Sequence, residues 1–184
     1  YAEAEPLFKR ALTIYQKTLV PEHPLKAITL NNLAGLYQAQ GRYAEAEPLY
    51  QRTLAIKEKK LGPEHPSTAT SLNNLAGLHE IQGRYADAEL FYKRALGIHE
   101  KVGPEHPKTA MNFNNLALLY FKQHRHGEAG PLFKRALAIH EKAHGPDHPE
   151  GAMSLNDLGL VYHDQGQNAL AEPLLKRALA IVEK

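Results

Sequence analysis

The chain repeats itself, and this limits its fold more than any other feature. "YAEAEPLFKRAL" begins at Tyr1 and returns as "YAEAEPLYQRTL" from Tyr43, "YADAELFYKRAL" from Tyr85, "HGEAGPLFKRAL" from His126 and "NALAEPLLKRAL" from Asn168. The steps are 42, 42, 41 and 42 residues; the short one falls near Val102, where "EKVGPEHP" stands for "EKKLGPEHP". A second block alternates with the first: "LNNLAGLYQAQGR" from Leu30, "LNNLAGLHEIQGR" from Leu72, "FNNLALLYFKQHR" from Phe113 and "LNDLGLVYHDQGQ" from Leu155. Connectors reading "PEHP" or "PDHP" join them. A fixed period of this size marks an array of like units, each too small to bury its own apolar face.

Each unit reads as two helices. Pro24, Pro66, Pro107 and Pro149 open the first, at a position where a missing N–H costs little. Apolar residues then recur at helical spacing, as in Leu30, Leu33, Ala34 and Tyr37. Gly41, Gly83 and Gly166 end it. The second helix starts near Tyr43, carries Ala46, Leu49, Tyr50, Leu54 and Ile56, and stops at Gly62-Pro63. The sequence predicts four first and five second helices in strict alternation. They form a single array over 1–184: a second helix at 1–23, full repeats at 24–65, 66–106 and 107–148, and a last repeat at 149–184. In the fourth repeat His124 stands for the helix-ending glycine and Gly130 for the Glu of "EAEP". Fraying is expected there, at a cost of about 0.5–1 kcal/mol for each change.

The pattern Leu30-x-x-Leu33-Ala34-x-x-Tyr37, followed by Ala46-x-x-x-Tyr50, resembles the tetratricopeptide repeat. The long period, with "LNNLA", "EAEPLYQRTLAI" and "GPEHP", is similar to the long-helix repeats of kinesin light chains and their prokaryotic relatives. The resemblance covers essentially the whole chain. It implies an all-α solenoid of antiparallel helix pairs and a non-catalytic, cytoplasmic scaffold that takes a peptide or partner protein in a concave groove lined by the first helices. No heptad coiled coil is present, so motor association is not implied.

On this reading the groove residues are Asn31, Asn73, Asn114 and Asn156, with Asn74 and Asn115 beside them and Gln38, Phe121, Lys122 and His163 further along the same helices. An Asn side chain offers both donor and acceptor and can pair with a peptide backbone. Asn32, Asn74 and Asn115 are as well suited to bonding between helices. Kinesin light chains favour acidic peptides through basic groove residues. Lys122 matches that pattern, with Phe121 and Met111 as apolar neighbours, whereas Glu80, Asp157 and Asp164 depart from it.

His140-Glu141-Lys142-Ala143-His144 spells the zinc-protease string H-E-x-x-H, and His148 follows. The repeat gives a plainer origin. His140 aligns with Tyr15, Lys57, His99 and Val182, His144 with Leu19 and Leu61, and Glu141 with Glu58, Glu100 and Glu183. The string therefore arises from one or two changes at a recurring helix end, and Gly145-Pro146 follows at once. A solvated helix end is expected, with no catalytic, metal or cofactor site; a zinc hydrolase there is the last alternative. His23, His65, His106 and His148 precede the helix-opening prolines once per repeat, which suits a loop or capping role.

Composition narrows the rest. The 184 residues are 43% hydrophobic and 23% charged, with net charge +2 and no cysteine. Balanced charge gives no pull toward nucleic acid or anionic membrane. The Lys-Arg pairs at 9–10, 93–94, 134–135 and 176–177 fall on second helices and read as a solvated face. No stretch reaches the roughly 20 apolar residues of a membrane span. The polar, amphipathic opening does not read as a signal peptide, and it begins mid-element, as in a piece of a longer chain. Leu170, Leu174, Ala178 and Ile181 are expected to form an uncovered stripe on the terminal helix. Such a stripe would favour end-to-end self-association or, as the alternative function, a structural array.

Overall fold

The computed structural model describes residues 3–183; Tyr1 and Lys184, the ends of the expected array, lie outside them. Among the described residues there are nine helices and no strand. They are α1 (Ala4–Thr18), α2 (Pro24–Ala39), α3 (Tyr43–Leu61), α4 (Pro66–Ile81), α5 (Tyr85–Val102), α6 (Pro107–Lys122), α7 (His126–His144), α8 (Pro149–Asp164) and α9 (Asn168–Val182). The first helices are α2, α4, α6 and α8. The chain forms two compact units, one up to Ile98 and one from His99, so the division falls inside α5.

Every first helix starts in the same way. Proline occupies its first turn, and the histidine before it is the N-cap. The Nδ1 atoms of His23, His65, His106 and His148 accept from the backbone N–H of Leu25, Ser67, Lys108 and Glu150, at 3.2, 3.0, 3.1 and 3.3 Å. The imidazole thus satisfies an N–H that the helix leaves without a partner, as Ser or Asp commonly does. The capping role expected of these histidines is the one they fill.

The first helices end in a left-handed residue. Gly41, Gly83 and Gly166 have φ of 73°, 74° and 73°, and His124 takes the same turn at 57°. His124 therefore holds the backbone path that glycine holds elsewhere. Arg125 N–H still bonds to the Tyr120 carbonyl at 2.9 Å, as Arg42 N–H bonds to Tyr37. Gly130 is buried inside α7.

In the first unit Leu33, Ala34 and Tyr37 of α2 meet Ala46 and Tyr50 of α3 and Leu72, Leu75 and Leu78 of α4 in one core. Phe8 and Leu12 of α1 pack against it. In the second unit Phe133 and Leu119 are fully buried. Ala152 and Leu155 of α8 close on Ala178 and Ile181 of α9. The Leu and Ile side chains each contribute about 1.5–3 kcal/mol when fully buried.

The terminal stripe needs correction. Ala178 and Ile181 are buried, and Leu174 packs on the same cluster. They are the inward face of their own helix pair. The outward apolar residues of α9 are Leu170, Leu179 and Val182, the last 72% exposed.

Replacing His124 by Gly should stabilise the protein by about 0.5–1 kcal/mol, because only the β-carbon penalty of the left-handed turn is removed. Urea unfolding measures this directly. A loss of stability would mean that the imidazole itself holds the turn, through its edge-on contact with His126 at 5.8 Å.

Candidate peptide-binding faces

The candidate residues lie on α2 and α4 in the first unit and on α6 and α8 in the second. In the first unit Asn31 is half-buried, and its Oδ1 accepts from Asn74 Nδ2 at 2.8 Å. One Asn of each helix is thus used to tie successive first helices together. Asn73 is buried, and Asn32 is exposed. In the second unit Asn114 pairs instead with Ser154 of α8, its Nδ2 lying 3.2 Å from the hydroxyl. Asn115 is half-buried. Asn156 is exposed, and its Nδ2 donates to Asp157 at 3.3 Å. Burial pushes the Asp157 carboxyl above its ordinary range, partly offset by that bond. The four Asn at equivalent positions therefore sit in four different settings.

The next position along shows why the two units differ. Tyr50 of α3 donates to Gln38 Oε1 at 3.0 Å, and Tyr92 of α5 donates to Glu80 Oε2 at 2.9 Å. Burial, together with the Glu80 charge, drives the Tyr92 phenol well above its usual range. Both hydroxyls lie beside a glycine of the first helix. A β-carbon on Gly35 or Gly77 would lie 3.5 Å from the Tyr50 or Tyr92 oxygen. In the second unit Phe133 and Leu175 replace the tyrosines, and Leu118 and Leu160 replace the glycines. With no hydroxyl below them, Phe121 and His163 take the places of Gln38 and Glu80. Phe121 packs edge-on against His126 at 5.4 Å. His163 Nδ1 lies 3.0 Å from Asn168 Oδ1, and Lys122 is exposed.

The second unit also holds a groove that the candidate residues only partly predict. A cavity of about 300 Å³ lies between α6 and α8, lined by Pro107, Lys108, Met111, Asn114, His140, Glu150 and Met153. Met111 and Met153 are 48% and 66% exposed on either side of Asn114. Met153 and Lys108 were missed from sequence, because the first turns of the first helices vary from repeat to repeat (Leu25, Ser67, Lys108 and Glu150 at one position; Ile28, Thr70, Met111 and Met153 at the other) and carry no motif.

Two of the second-helix arginines pair with carboxylates. Arg94 reaches Glu58 at 2.6 Å and Arg177 reaches Glu141 at 2.7 Å, each on the preceding second helix. Arg42 stacks over the Tyr37 ring at 4.0 Å and bonds Glu5 and Glu45, both at 2.7 Å. The Arg42 bond, with Lys9 beside it, holds the Glu5 carboxyl down at about 2. The Glu of the H-E-x-x-H string, Glu141, is thus turned to Arg177. The two histidines of the string face Glu150 on α8: His140 Nδ1 lies 3.2 Å and His144 Nε2 3.4 Å from Glu150 Oε2. Burial draws the His140 pKa down, opposed by the Glu150 charge.

The sequence profile of the tetratricopeptide repeat matches residues 1–59, 27–101 and 108–184. The chain belongs to the tetratricopeptide repeat family. Members of this family are protein-interaction scaffolds. Among solved structures, BtubC (BKLC) from P. vanneervenii is similar over 99% of this chain and 73% of its own, at 30% identity and a TM-score of 0.88. A kinesin light chain of Podosopora anserina with nearly identical TPR-like repeats is similar over 98% of this chain and 86% of its own, at 31% identity and a TM-score of 0.83. The repeats are thus of the kinesin light chain type. The apo form of RapI shares the fold at 19% identity, over 96% of this chain and 62% of its own, with a TM-score of 0.84. No curated protein sequence matches the chain. No described helix of this repeat protein is long and apolar enough to cross a membrane.

The paired tyrosines give a graded expectation. Tyr92→Phe should cost about 1.5–3 kcal/mol, since its hydroxyl meets a charged carboxylate, and Tyr50→Phe about 0.5–1.5 kcal/mol. Phe already occupies the equivalent site at 133, so neither change opens a cavity. Thermal unfolding that ranks the two equally, or finds both neutral, would show that these hydroxyls do not fix Gln38 and Glu80.

Proposed function

We propose that the chain is a non-catalytic, cytoplasmic scaffold that holds an extended peptide segment of a partner protein along its first helices, and that the α6–α8 groove is the anchor point. The observation that carries this reading is the exposed pair Met111 and Met153 flanking Asn114 over the 300 Å³ cavity. Large exposed apolar side chains rimmed by polar ones mark interaction sites, and methionine adapts its shape to varied ligand side chains. An apolar anchor residue of the peptide fills the space between the two methionines. Asn114 can exchange its bond with Ser154 for one to the peptide backbone. Lys108 lines the same groove, and Lys122 and Phe121 lie further along α6, where they favour an acidic or aromatic residue beyond the anchor. In the first unit, Gln38 and Glu80 stand ready-oriented by their tyrosines, a polar face that suits backbone and basic side chains.

Hot spots at interfaces are few, buried on binding and apolar or aromatic. Screening a peptide library against the whole chain should therefore return ligands that share one apolar anchor residue. Met111→Asp and Met153→Asp should each weaken the selected peptide by about tenfold or more, equivalent to about 1.4 kcal/mol. Both sites are exposed, so helix content should not change. Undiminished binding by both folded variants would place the ligand elsewhere and overturn this reading.

A further inference from the structure

We propose that His140, His144 and Glu150 form a site for one divalent transition-metal ion, Zn²⁺ being the natural occupant, which joins the end of α7 to the start of α8. The proposal does not depend on the peptide reading. His140 and His144 are four residues apart and so share one face of α7. Glu150, in the first turn of α8, closes on both. One ligand atom from each of the three residues lies within 4.8 Å of the other two. Zinc binds imidazole nitrogen and carboxylate oxygen at about 2.0–2.2 Å, so neighbouring ligand atoms around a tetrahedral ion are about 3.3 Å apart. The two separations from Glu150, 3.2 and 3.4 Å, match such edges, and the two imidazole nitrogens lie within 4.8 Å of each other.

The chemistry of the donors points the same way. His140 is only 5% exposed, and its Nδ1, aimed at this point, makes no hydrogen bond. A buried polar atom without a partner costs about 1–3 kcal/mol. A metal ion would give that nitrogen a ligand bond. His148 does not join the set. It stacks on the His144 ring at 4.5 Å, but its Nδ1 is committed to capping α8. Its proton is therefore on Nε2, which leaves no lone pair for a metal. Its stacking orients His144, as outer residues do around metal ligands.

The same junction in the first unit is already bridged by a cation. Lys57 stands where His140 stands, and its Nζ donates to the Ser67 carbonyl at the start of α4, at 3.1 Å. Leu61 and Ser67 occupy the places of His144 and Glu150. Two imidazoles and a carboxylate replace that single ammonium, and a metal ion would restore the bridge. Three protein ligands leave a fourth position for water. Glu141 is ion-paired with Arg177 at 2.7 Å, and the site is assigned ion binding with no hydrolytic role.

The test uses the whole chain free of any histidine tag, titrated with ZnCl₂ by calorimetry. One ion per chain is expected. His144→Ala and Glu150→Gln, both at exposed positions, should each weaken binding by at least about tenfold, the range seen for residues that only support a metal ligand. His163→Ala, an exposed histidine elsewhere on the same unit, should leave affinity unchanged. Zinc should raise the Tm of the parent chain and not of the two ligand variants. Absence of stoichiometric binding overturns the proposal. So does binding that His163→Ala weakens as much as His144→Ala, which would mark adventitious surface coordination.

Discussion

The fold depends on how closely a first helix can approach the second helix of its own repeat. Ala34, Ala76 and Ala117 on first helices, and Ala46, Ala88 and Ala129 on second helices, are all fully buried. A methyl group is the side chain found at each of these crossings. The last repeat carries Gly159 at this position, where a β-carbon would sit 2.7 Å from Leu175 Cδ2. Its partner position is the one filled by Tyr50, Tyr92 and Phe133 in the other repeats, so a branched Leu goes with a smaller residue opposite. Interiors packed to crystal-like density respond to single methyl groups in this way.

That close approach also sets what the first helices present. Tyr50 and Tyr92 reach past glycines to hold Gln38 and Glu80, whereas Phe133 and Leu175 lie against leucines and leave Phe121 and His163 in those places. A change on the buried side of the second helix is thus expressed as a change of chemistry on the first. The repeats keep one backbone and vary the face, which is how one repeat architecture serves different ligands.

Helix order, boundaries and caps were legible from sequence because period, proline, glycine and histidine recur at fixed offsets. His124 was legible as a departure. That it would adopt the left-handed turn, with φ of 57°, was not, since the surrounding hydrogen bonds impose the path. The Asn positions were legible as a ladder. Their separate hydrogen-bond settings were not, because each depends on whether Asn74 or Ser154 of another helix, or the chain neighbour Asp157, is the partner. The H-E-x-x-H string was legible as a variation on a recurring helix end. Glu150 remained invisible beside it, because it lies across a turn from His140 and belongs to no motif. The outward stripe of α9 was misassigned because periodicity identifies a row of apolar residues but not which neighbour covers it.

The most direct test of the packing constraint is the stability of Ala76→Leu. Ala76 is fully buried on α4. On helix propensity the change is nearly neutral, about 0.2 kcal/mol, and on transfer free energy it is favourable. If the small residue is what allows the crossing, overpacking outweighs both. Chemical denaturation should then report a loss of about 1–3 kcal/mol or more. Unchanged or increased stability, with the helix content retained, would contradict the account.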